Sequence, residues 1–296
     1  MHGKNSFLSL ILIVVFSLFL VGCTQKLAMS EETYETTTDV SSVVISEKTM
    51  PVRISQSENV TKVTIHYYEV KNKYECSVQT YFQDLILQFK RIENTNQFAP
   101  EYTYSDTCLT EVIIPVNYAG LVKVTTSSGR ITVNHVSTGK LELKTNDGSV
   151  KLLNTTLSEE STIVTTSGDI TVDNATLNKT TITSTSGKIL VKNSTLSDYL
   201  IVKGTNSDID IEKVKANAFD ISDSNGFILM QEIECDTLVN ILNTTGNITL
   251  SLVGKKGLYT TTIASETGEK IGITTGGDKI ITAKTTVGDV KVTYLG

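Results

Sequence analysis

The chain has 296 residues, with 26 Lys and Arg against 32 Asp and Glu and a formal net charge of −6. That acidic balance argues against a nucleic-acid partner, whose phosphates demand a basic face. The absence of tryptophan, a count of 3 prolines and the lack of any long stretch of helical period argue against a helical bundle or an α/β enzyme.

In chain order, residues 1–22 read as a secretion signal: Lys4 leads an apolar core from Phe7 to Leu20 that is too short for a typical membrane span. The core ends in Leu20-Val21-Gly22-Cys23, which resembles a bacterial lipobox. The resemblance implies cleavage before Cys23, a diacylglycerol anchor on its thiol, and a protein held to the extracytoplasmic face of the cell membrane. Residues 23–40 are rich in Ser, Thr and Glu, the composition of a flexible tether.

Residues 41–118 are β-rich without a period, with short strands such as Ser42-Val43-Val44-Ile45-Ser46 and Asp84-Leu85-Ile86-Leu87-Gln88-Phe89. A solenoid needs an atypical first unit over the exposed end of its core, and this segment is the natural cap. Cys76 and Cys108 both fall in it; in an exported chain they are either a disulfide or two free thiols. The aromatic residues also gather here, at Tyr67, Tyr68, Tyr74, Tyr81, Phe82, Phe89, Phe98, Tyr102 and Tyr104, as a small core or a carbohydrate-stacking face.

Residues 119–296 repeat. Gly129, Gly148, Gly168, Gly187, Ser207, Gly226, Gly246, Gly268 and Gly288 stand 19 to 22 residues apart, a period that signals stacked coils. Two and four residues after each turn position come apolar rows, Ile131, Val150, Ile170 and onward, then Val133, Leu152, Val172 and onward; only Lys270 is out of step. Another row, from Val124 through Leu143 to Ala283, lies five residues before the turns, and Leu157, Leu177, Leu196, Ala216 and Cys235 lie nine after. Alternation of this kind marks strands buried on one face. Three short faces per coil predict an all-β parallel β-helix of about nine coils, with Cys235 as a small buried hydrophobe. Glycine at the corners is expected to supply positive φ. Asn154, Asn174 and Asn193 recur at a fixed offset, either as a stacked amide ladder inside a bend or simply as turn residues.

The strand Glu111-Val112-Ile113-Ile114-Pro115, followed by Thr-x-Ser-Gly-x-Ile-x-Val units such as Thr165 to Val172, resembles the bacterial putative-adhesin family, a domain of unknown function with a β-solenoid fold, over about residues 41–296. The resemblance implies an envelope-associated, non-catalytic domain and brings no functional residues with it. It leaves the partner open between an envelope protein and a glycan.

A β-helix can also be a carbohydrate-active enzyme, which needs converging acids and bases on one outer face. Asp169, Asp208 and Asp289 follow their turns directly, but the equivalent positions carry Arg130, Ser149, Lys188, Phe227, Asn247 and Glu269, the scatter of a solvated edge. Asp208 and Asp210 share a face without a matching base, His66 and His135 lie far apart, and no spacing suggests a metal or cofactor site. A third reading is a regulatory partner of an envelope-stress sensing system. The final strand, Val290 to Leu295, has no covering unit after it, so the sequence predicts an open solenoid end able to pair two chains end to end.

Overall fold

A coil of twenty residues cannot bury its own apolar face, so the repeats must stack. The computed structural model, which describes residues 29–70, 74–91 and 108–296, is a parallel β-solenoid of about nine turns behind an N-terminal cap. Among the described residues no helix is long and apolar enough to cross a membrane.

The register is that of the sequence rows. Val150 pairs with Ile131 on one side and Ile170 on the other, Ile170 with Ile189, and Ile189 with Ile209. Leu143 lies between Val124 and Ile163, and Ala216 pairs with Cys235. Like side chains therefore pile at the ~4.8 Å strand spacing into one continuous core. Ile131, Ile170, Ile189, Val172 and Cys235 are all essentially inaccessible.

The corner glycines have a different cause from the one expected. Only Gly246 and Gly288 among them have positive φ, at 129° and 133°. What the middle corners forbid is a Cβ. An added Cβ would lie 1.9 Å from the Gly148 oxygen at Gly168, 2.1 Å from the Gly168 oxygen at Gly187, and 2.2 Å from the Gly129 oxygen at Gly148. Each of these three corners presses its Cα against the carbonyl of its neighbour, so glycine is a steric requirement there, while Ser207 and Met50 hold the same column with a Cβ.

Three residues before every corner except Ser207, where Gly204 stands, runs a buried polar row. Thr165 and Ser184 are paired in register and nearly inaccessible, and each hydroxyl accepts from the corner amide, Gly168 N at 2.9 Å and Gly187 N at 2.9 Å. Thr145 does the same for Gly148 at 3.0 Å, and Ser265 for Gly268 at 2.9 Å. Asp223 and Asn243 occupy the row in the middle coils, where Asp223 Oδ2 and Asn243 Oδ1 find no partner among the described residues. Burial raises the Asp223 carboxyl above its usual range, against backbone amides that lower it.

The N-terminal region comprises β1 (Met29–Glu35), β2 (Ser42–Ser46), β3 (Val52–Ser57), β4 (Thr64–Val70), β5 (Tyr74–Tyr81), β6 (Asp84–Arg91) and β7 (Thr110–Pro115); β8 (Leu121–Thr125) and β9 (Ile131–Asn134) open the regular coils. β2 pairs in parallel with both β6 and β8, and β3 with both β7 and β9. Residues 42–57 are thus a coil of the solenoid, not cap, with Met50 in the glycine column against Gly129. The later strands β6 and β7 lie outside them, and antiparallel β4 and β5 close the end. β1 adds antiparallel to β4 within the segment expected to be tether. Its Glu31, Glu32 and Glu35 suit an exposed edge, where charge discourages further pairing, so the composition of a linker also fits an edge strand. The signal segment and Cys23 lie outside the described residues.

The C-terminal end is interleaved in the same way. Lys279–Thr285 pairs with Ile228–Thr245 on one side and Tyr259–Ser265 on the other. Val290–Leu295 pairs with Ile248–Val253 and, through its first two residues, with Lys270–Ile271. The chain's last coil is therefore the penultimate layer, and Val290 and Val292 are buried. The open end of the stack is thus not the final strand, where the sequence placed it. The true end layer is residues 259–271, where Lys270 stands out of the apolar row because no further coil covers it. Residues 272–278 fold back over that layer: Thr274 bridges Thr261 antiparallel and donates its hydroxyl to Tyr259 O at 2.7 Å, and Tyr294 Oη donates to Gly272 O at 2.8 Å.

Candidate functional site

Acids that could serve catalysis come first. Asp169 Oδ1 accepts from Lys188 N at 2.9 Å, Asp208 Oδ1 from Phe227 N at 3.1 Å, and Asp289 Oδ1 from Glu269 N at 2.9 Å. Asn247 Oδ1 accepts from Asp289 N at 2.8 Å in the same manner. Position by position, this row ties one corner to the next. Asp210 pairs with Lys188 at 3.5 Å across coils with both side chains partly exposed, an interaction of about 0–1 kcal/mol. His66 accepts or donates to Thr33 at 2.9 Å at the cap edge, and His135 is a left-handed turn residue with φ 53°; the structure does not bring the two together.

The asparagines are turn residues whose amides also bond across coils, on the outside of the solenoid and not as a ladder inside a bend. Asn154, Asn174 and Asn193 have φ of 50°, 53° and 50°, and their amides also reach across coils, Asn174 Nδ2 to Asn154 Oδ1 at 2.7 Å and Asn193 Nδ2 to Asp173 Oδ1 at 3.0 Å. The row is exposed, not enclosed in a bend.

Cys76 and Cys108 are free thiols. Cys76 lies beside Tyr67 and Cys108 beside Tyr68. Successive residues of β4 point to opposite faces, which keeps the two cysteines apart. Burial, with Glu47 and Glu69 nearby, pushes the Cys76 thiol well up, so it is protonated and unreactive at neutral pH. Burial raises Cys235 to about 11 in spite of Lys279. Sequence reasoning missed Glu47, which fills the buried polar row in the coil of residues 42–57: it is 7 % exposed, accepts from Thr110 Oγ1, and is pushed well above the ordinary range by burial. Its place three residues before Met50, matching Thr165 before Gly168, was the available signal.

The aromatic residues among the described side chains form no single face. Tyr67 packs against the core, while Tyr81 and Phe82 are 64 % and 83 % exposed at the β5–β6 hairpin tip, with rings edge to face at 4.5 Å. The side chains of Tyr74 and Phe89, and residues Phe98, Tyr102 and Tyr104, lie outside the described residues.

One concavity joins cap and coils. A cleft of about 350 Å³ lies where residues 36–41, 61–63 and 115–120 meet. Gly120 makes the meeting possible, since a Cβ there would lie 2.1 Å from Ser41 O. The floor is buried Thr36, Val63, Pro115 and Tyr118; Tyr118 Oη donates to Leu121 O at 2.7 Å, and burial with Asp84 nearby pushes this phenol up. Thr36 Oγ1 has no partner among the described residues, although Thr36 is 3 % exposed. An ion pair, Lys62 Nζ to Asp39 Oδ1 at 2.6 Å, stands at the rim.

A family model described as Toastrack DUF4097 matches residues 40–293. No curated protein matches the chain significantly. Among solved structures, a putative lipid binding protein from Parabacteroides distasonis is similar at 13 % identity and a TM-score of 0.55, covering 90 % of this chain and 97 % of that one. A putative adhesin from Bacteroides fragilis matches at 14 % identity and a TM-score of 0.42, covering 90 % of this chain and 97 % of that one. At these identities the first likeness is one of fold alone, and the second is too weak to add to it.

Proposed function

This chain belongs to the Toastrack DUF4097 family, and on that premise we propose that it is a non-catalytic lipoprotein of the bacterial cell envelope. In this reading Cys23 carries the lipid on the extracytoplasmic face, and the solenoid presents its flanks to an envelope protein or glycan for adhesion or binding. The observation that carries it is the employment of the outward acids: Asp169, Asp208 and Asp289 each accept from a backbone amide of a neighbouring coil, a role in joining coils. A glycosidase needs two carboxyl groups set across a sugar, free to protonate and attack.

Two measurements test it. Wild-type protein should take up a fatty-acid probe and fractionate with membranes, and Cys23→Ala should do neither; labelling that survives the change contradicts the anchor. Chemical cross-linking in intact envelopes should then trap the anchored protein on a glycan or protein partner. Turnover of an envelope polysaccharide by the purified chain would contradict the non-catalytic reading. A membrane sensor kinase as the trapped partner would make the role regulatory.

A further inference from the structure

We propose that Asp223 and Asn243 form a proton-operated joint between adjacent coils: a proton taken from solvent onto Asp223 Oδ2 is donated in a hydrogen bond to Asn243 Oδ1, and its release leaves two buried acceptors side by side. The first argument is register. The two residues are paired in neighbouring strands and both belong to the buried polar row, at 5 % and 7 % exposure. Elsewhere in that row the side chains of adjacent coils bond each other, as Thr126 Oγ1 does to Thr145 Oγ1 at 2.8 Å. Asp223 and Asn243 stand at the same ~4.8 Å spacing, yet Asp223 Oδ2 and Asn243 Oδ1 both end without a partner. Of the buried side-chain atoms without a partner among the described residues, these two are the ones carried by register partners, and both are acceptors. A buried polar atom normally has a partner, since leaving the bond unmade costs the desolvation of the group.

The second argument is that the other half of each group is already engaged. Asp223 Oδ1 accepts from Ser207 N at 3.4 Å, and Asn243 Nδ2 donates to Gly226 O at 2.8 Å. Turning the amide over would set its oxygen against that carbonyl, so Asn243 has no donor to offer Asp223. An ionised carboxylate only accepts, whereas a protonated one gains an O–H donor, and one proton therefore satisfies both orphaned oxygens. The surroundings favour it. Burial raises the Asp223 carboxyl against the backbone amides of Ser207, Ser224 and Asn225, and the charged group that bears on it, Asp208 in the preceding coil, raises it further by like charge. The segment of the following coil, residues 243–247, carries no charge. The seam between these two coils is thus strengthened by acid: its contribution is fully present below the unfolded pKa of Asp223 and is lost as pH rises through the raised folded value.

The experiment titrates the full chain by NMR, isotope-labelled at its aspartate carboxyl carbons, with the Asp223 signal assigned through its loss in Asp223→Asn. In wild type that signal should titrate at higher pH than those of the exposed aspartates. Asn243→Thr should move its midpoint down, because a threonine hydroxyl donates to the ionised carboxylate as Thr126 donates to Thr145; burial acting without the bond leaves the midpoint in place. Melting temperature is then followed against pH in a Glu47→Gln background, which removes the other buried carboxyl of the row. The parent should lose melting temperature as pH rises, and Asp223→Asn, whose amide donates to Asn243 Oδ1 at every pH, should remove that loss and melt higher than its parent at the alkaline end. Asp223 titrating together with the exposed aspartates, a midpoint unmoved by Asn243→Thr, or a pH slope of melting unchanged by Asp223→Asn each overturns the inference.

Discussion

A glycine is usually read for the conformations it allows, yet at Gly168 the deciding fact is a carbonyl oxygen 1.9 Å from where a Cβ would be. The neighbour is backbone and cannot rotate away, so the coil must shift. Gly168→Ala should therefore cost at least the roughly 1–3 kcal/mol typical of overpacking. Gly257→Ala, where nothing lies within 4 Å, should be close to neutral. Denaturant midpoints compare the two directly, and equal effects would remove the steric reading of the column. Glu47 gives a second test at this scale. Burial raises its pKa above the ordinary value of 4.5, so the unfolded chain releases this proton at lower pH than the folded one. Its contribution is fully present below that value and is lost as pH rises toward the raised folded pKa. Melting temperature should carry a falling component from about pH 4.5 upward that Glu47→Gln removes; a variant with the wild-type pH slope would contradict the assignment.

At the scale of the strand, the inward rows decide stability. Ile170 is 1 % exposed between Val150 and Ile189. Ile170→Asp places a charge in the stack with no partner, at a cost of several kcal/mol, whereas Thr171→Asp on the outer side should stay within about 0.5 kcal/mol. Asp169→Ala should cost about 0.5–1.5 kcal/mol, since it frees the Lys188 amide to water at an exposed corner. Chemical denaturation ranks the three, and any other order shifts the register. These apolar rows were legible because a strand alternates with period two and each coil repeats the same alternation. The polar row was not, for a specific reason. Thr165 follows Ile163 by two and so points inward by the same alternation, but a threonine reads as a surface residue unless its bond to Gly168 N is known. The cleft was equally hidden, because Thr36, Lys62 and Tyr118 lie far apart in the chain and converge only when the crossing segments meet over Gly120.

The whole molecule is organised by which coil lies beside which. Strands of equal pattern are interchangeable in a stack, so the sequence specifies the rows without specifying the order of layers. Lys270, alone out of step, was the one mark of a layer with a free side. At each end of the described stack a coil is held one layer in, β2 and β3 beneath β6 and β7, and Lys279–Thr285 beneath Tyr259–Ser265. The outer layers of the stack are therefore β4–β7 at one end and residues 259–271, with residues 272–278 folded over them, at the other. Val292→Lys, a change inside the stack, should accordingly destabilise the fold by several kcal/mol instead of altering an association equilibrium; light scattering together with thermal melting separates the two.

The layer order itself has a direct test. Lys284 is the register partner of both Leu242 and Ala264, which are separated from each other by its strand. Adjacent parallel strands lie about 4.8 Å apart and second neighbours about twice that, beyond the ~7 Å within which cysteines bridge. With the native cysteines replaced, a Leu242→Cys, Lys284→Cys double variant and an Ala264→Cys, Lys284→Cys double variant should each oxidise to an intramolecular disulfide, and a Leu242→Cys, Ala264→Cys variant should not. Efficient closure of the 242–264 pair with failure of the 242–284 pair would mean that the coils stack in chain order and would contradict the account.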